Sequence, residues 1–101
     1  MLQTEFKFTL PKGLYLNGEL HQQGKIKRLT AKDELVIQDL ANRHPNIDVV
    51  FCVLAQAIAQ LGSLTKVMPH QLEQLFLPDF LYFQSLFSQL QPQNLDPSGE
   101  L

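Results

Sequence analysis

Acid–base, nucleophilic and metal chemistry need side chains of the right type to converge, so three histidines and a single cysteine are the first residues to weigh. His21 falls beside an Asn-Gly turn, His44 precedes a proline, His70 opens a helix, and none has an evident partner in the sequence. His70 and Glu73 stand at i, i+3, a spacing that puts two metal ligands on one helix face; a third ligand is missing, and the pair reads as solvated surface. Cys52 lies in VVFCVLA, where a thiol packs as a small apolar group and its pKa rises, the opposite of what a nucleophile requires. Asp33 and Glu34 open a helix, and the positive end of its dipole accounts for both. Glycines 13, 18, 24, 62 and 99 are too scattered to cradle a phosphate. The sequence therefore predicts no catalytic residue, no cofactor and no metal, and a protein that is not an enzyme.

What must position these side chains is a chain of 101 residues, the size of one domain, whose 45% hydrophobic content suffices for a real core. A net charge of -2 supplies no positive field for a phosphate backbone, which argues against nucleic acid as a partner. The basic cluster Lys25, Lys27 and Arg28 is short, is followed closely by Asp33 and Glu34, and reads as a solvated strand face. The longest uncharged run, Val49 to Thr65, is broken by Gln56, Gln60, Gly62 and Ser63 and falls short of the ~20 apolar residues of a membrane span. With one cysteine and no leader-like start, a cytoplasmic location is expected.

Thr4 to Leu10 alternates, with Phe6, Phe8 and Leu10 on one face. Asn17-Gly18 is a hairpin signal, because a two-residue type I′ turn needs positive φ at both central positions. Carrying the register back from Leu16 opposite Glu19 sets Phe8 against Lys27, so a one-residue bulge near Gly13 or Gly24 is expected, bringing Phe8 opposite Ile26. Thr30 followed by Asp33 resembles a helix cap, and a short helix through Leu35, Val36 and Leu40 follows. A main helix is expected from near Pro45 to a cap at Gly62, apolar on most sides and hence central. Pro69 and Pro78-Asp79 open two further helices, the second carrying Phe80, Phe83, Phe87 and Leu90. The fold class is α+β, an N-terminal antiparallel β-hairpin packed on a bundle of three to four α-helices, with residues 1–90 forming one domain and 91–101 a flexible C-terminal tail.

Apolar side chains exceed what so small a core needs. The last helix has apolar residues at 80, 81, 82, 83, 86, 87 and 90, more of its circumference than one contact with a central helix buries. The partner surface is accordingly placed on Tyr82, Phe83, Leu86 and Phe87, together with the tail after Gln91.

In order, FTLPKG, the hairpin with NGELH, KIKRLTAKDEL, HPNIDVVFCVLAQAIAQLGSL and LEQLFLPDFLYFQSLF resemble the small phage tail assembly proteins, which also occur in gene clusters of contractile phage-tail-like injection particles. The resemblance covers about Phe6 to Leu90 and contains no catalytic signature. It implies a tail assembly chaperone or accessory factor whose partner is a tape-measure, tail tube or baseplate protein, or else a permanent small subunit of the tail or baseplate. Self-association is left open. The richness in glutamine and Cys52 at an aliphatic position depart from the family's pattern and bear on partner choice.

Overall fold

In a computed structural model of the chain, residues 4–90 are described, and the expected tail over 91–101 lies outside them. The elements run β1 (Glu5–Leu16), β2 (Glu19–Lys27), α1 (Ala31–Arg43), α2 (Val49–Ala57), β3 (Ile58–Leu61), α3 (Pro69–Leu72) and α4 (Leu77–Leu90). The fold is α+β; among the described residues it has an antiparallel sheet in the order β1-β2-β3 and four helices.

The hairpin turns at Asn17 and Gly18, both at positive φ (55° and 78°), the conformation that Asn-Gly adopts at least cost. Its register differs from the expected one. Leu16 faces Glu19, but between Leu14 and Thr9 the pairing slips so that residues 10–13 stand against Gln22 alone. Three extra residues are thus accommodated instead of one, and Ile26 pairs with Phe6 while Phe8 pairs with Gly24. The physical reason lies in Leu-Pro-Lys-Gly: Pro11 cannot donate to a ladder, and Gly13 sits at φ 97°, so the strand loops outward for several residues. Gly24 leaves room for the Phe8 ring, which an added methyl group there would meet.

The expected helix over residues 45–61 is also corrected. It begins after Asp48, whose Oδ1 accepts a hydrogen bond from the Val50 N–H at 3.0 Å, and it ends at Ala57. Ile58–Leu61 is a strand, with Ile58 opposite Ile26 and Leu61 opposite Gly24. Helical spacing is a weak guide here, because a strand with one bulged residue can bury the same positions. The register slips by one residue at Ala59, which lets Ile58 and Leu61, three apart, both turn to the core. Gly62 is therefore no helix cap; at φ 59° it turns the chain out of β3, and its N–H donates to the Gln23 carbonyl at 2.6 Å.

Helix α1 runs to Arg43, longer than expected, and starts as the Thr30–Asp33 pair indicates: the Asp33 carboxylate accepts from the Thr30 N–H at 2.7 Å and its hydroxyl at 3.1 Å. The core unites Phe8, Leu10, Leu14, Leu16 and Ile26 of the hairpin with Leu54, Ala57, Ile58, Leu61, Leu72 and Phe83. Phe8 and Phe83 meet edge to face at 5.1 Å between ring centres, which fixes α4 against β1. No helix among the described residues is long and apolar enough to cross a membrane.

Candidate protein-binding site

Helix α4 carries Leu77, Phe80, Leu81, Gln84, Phe87 and Ser88 at helical spacing along one stripe. Leu77 and Leu81 are 66% and 52% exposed, and Phe76, in the turn before the helix, is 57% exposed. Across from this stripe lies α2, joined to it by the Phe51 and Phe80 rings at 5.6 Å. The seam between the helices is open on both sides of that contact. Toward the end of α4, Val50, Val53, Leu54, Gln84, Phe87 and Ser88 line a mainly apolar groove of about 270 Å³. Toward its start, Phe51, Leu72, Leu75, Leu77 and Phe80, with Glu73, line a second of about 220 Å³. Apolar walls with a few polar groups at the rim suit an apolar side chain of a partner.

Of the four residues expected at the partner surface, Leu86 and Phe87 are half-buried, and Phe87 walls the larger groove. Tyr82 is half-buried over β1, its hydroxyl 3.4 Å from the Thr9 N–H. Phe83 does not belong to that surface: it is fully buried, packed on Phe8 and Tyr82. An aromatic run cannot say which of its members faces inward until the sheet is in place. Val50, Val53, Phe76 and Leu77 are not among the residues that the sequence assigns to this surface; in a helix expected to be central and apolar on most sides, Val50 and Val53 instead line the groove.

The residues weighed for chemistry lie apart. His21 is buried under Gly62, with Nε2 3.9 Å from a Glu19 oxygen; His44 caps the end of α1; His70 and Glu73 are exposed. Among the described residues, no group of three His, Cys, Asp or Glu side chains is placed to hold a metal ion. Cys52 is fully buried, and burial together with the Asp48 charge pushes its thiol pKa up.

Two carboxylates serve as tethers. Burial alone would raise the Asp33 pKa, but hydrogen bonds from Gln56 (2.7 Å), the Thr30 N–H, Lys27 (3.2 Å) and the Thr30 hydroxyl outweigh it and hold the group at about 2. Asp33 thereby ties α1 to both β2 and α2. Asp79, in the first turn of α4, is fully buried and accepts from the Lys12 N–H at 2.8 Å and the Gly13 N–H at 2.7 Å. Sequence reading missed this contact. The available signal was Leu-Pro-Lys-Gly itself, a break in strand alternation that frees backbone donors and so requires an acceptor.

Comparison with protein-family models, with curated proteins and with solved structures finds no match.

Proposed function

We propose that the chain is a non-enzymatic protein-binding factor in the assembly of a phage tail or contractile injection particle. In this reading it is a tail assembly chaperone, working in the bacterial cytoplasm, that holds apolar segments of a tape-measure, tail tube or baseplate protein. The observation that carries the binding role is the open α2–α4 seam, with Leu77 and Leu81 exposed beside two apolar grooves. The assembly role rests on the resemblance, two of whose motifs, FTLPKG and LFLPDF, meet at the Asp79 contact.

The alternative is a permanent small subunit that adds its hairpin edge to a neighbouring sheet. Against it, N–H groups along β1, the free strand of the hairpin, are already engaged: Thr9 by Tyr82, and Lys12 and Gly13 by Asp79. Co-expression with apolar segments of the tape-measure protein, followed by analysis of purified particles, tests the two. A chaperone keeps those segments in solution, loses that effect in Leu77→Asp and Leu81→Asp, and is absent from finished particles. Fixed stoichiometry in the particle would favour the subunit reading.

A further inference from the structure

The sheet's face away from the helices carries a different chemistry. Lys7 and Lys25 stand directly opposite each other on β1 and β2, and Gln60 of β3 faces Lys25 from the other side. Like charges placed directly across a strand pair repel and destabilise the sheet. Among the described residues, no carboxylate lies within ion-pair distance of either lysine: Asp33 is engaged with Lys27, and the remaining pairs are His21–Glu19 and Arg43–Asp39. Beside the two lysines is a shallow depression of about 430 Å³, bordered by Phe8, Thr9, Gln23, Gly24, Gln60 and Gly62.

We propose that this face is a docking surface for an acidic segment of a protein partner, whose carboxylates sit between Lys7 and Lys25 while Thr9 and Gln23 hydrogen-bond alongside. Charge complementarity selects the occupant: two lysines set directly opposite each other on an open strand pair fit carboxylate side chains. A nucleic acid strand fits less well, since the one aromatic at the depression, Phe8, is buried in the core and offers no stacking platform, no arginine lines it, and the chain's net charge is -2. The surface lies on the other side of the sheet from the apolar seam and stands independently of it.

Fluorescence anisotropy of a labelled oligoglutamate peptide with the full chain at low salt tests the proposal. Saturable binding that weakens about tenfold or more in Lys7→Gln and in Lys25→Gln, but is unchanged in Lys66→Gln, is the expected result, with loss as salt rises. Thermal melting supplies the second readout: each of the two loss-of-binding variants should melt at or above the wild-type temperature, because the cation pair costs stability in the free protein. Absence of saturable binding, equal loss in Lys66→Gln, or tighter binding of inorganic phosphate or a single-stranded oligonucleotide would overturn the proposal. So would a lowered melting temperature in Lys7→Gln and Lys25→Gln, which would make the lysines structural.

Discussion

The two carboxylate oxygens of Asp79 are divided between consecutive backbone donors, one to Lys12 and one to Gly13, and join the first turn of α4 to the bulged middle of β1 across more than sixty residues of sequence. The bulge and the helix depend on each other. Pro11 and Gly13 bring two N–H groups out of the ladder, and at Gly13, which is buried, an acceptor from elsewhere in the chain must satisfy the donor.

Asp79→Ala is expected to destabilise the protein by about 3 kcal/mol, because it leaves the buried Gly13 donor and the part-buried Lys12 donor without their partner. Asp79→Asn should lose nearly as much, since an amide presents one acceptor and a donor where two acceptors are needed. Denaturant unfolding of both variants measures this. A loss near zero in both would mean that water replaces the carboxylate.

Asp33 gives the fold an acid-sensitive tie. Its pKa is lowered in the folded protein to about 2 from the ordinary 3.8, so the stability it contributes is fully present above the unfolded value and disappears as pH falls through the folded one. The shift corresponds to about 2 kcal/mol at neutral pH. Asp33→Asn should lose that amount at pH 7, and its stability should fall less steeply than wild type between about pH 5 and pH 2. Parallel acid limbs for the two proteins would show that Asp33 is not the responsible group.

What was legible in the sequence was what adjacent residues decide. Asn17-Gly18 makes its turn because both residues accept positive φ, and Thr30–Asp33 opens α1 through bonds three residues apart. What was not legible depends on partners far along the chain. Ile58 and Leu61 fit a helix by spacing alone and become a strand because β2 offers them Ile26 and Gly24. The partner surface divided in the same way: Phe87 reaches the groove, while Phe83 is taken into the core by Phe8.

That division separates two classes of variant on one helix. Phe83→Ala should cost about 3–5 kcal/mol, as a buried ring leaves a cavity on the sheet. Leu81→Asp and Leu77→Asp should melt close to wild type while abolishing capture of an apolar partner segment, since both side chains are exposed. Melting curves alongside co-purification read both properties. Unfolding of the two exposed-site variants would remove the stripe from the binding surface and return it to the core.

Cys52 offers a probe of the folded state that involves no mutation. The thiol is fully buried in α2, and its pKa is raised by desolvation and by the Asp48 charge, so both access and thiolate fraction are low at neutral pH. A thiol reagent should therefore label native protein only through opening of the fold, at a rate orders of magnitude below that of the denatured chain. Variants that loosen the structure should accelerate labelling in proportion to their loss of stability, so Asp79→Ala and Phe83→Ala should react faster than wild type and Leu81→Asp should not. Rapid labelling of the wild-type protein under native conditions would show that α2 swings away from the core on its own. The seam between α2 and α4 would then be a mobile opening, and Cys52 would lie on the path of a partner segment entering it.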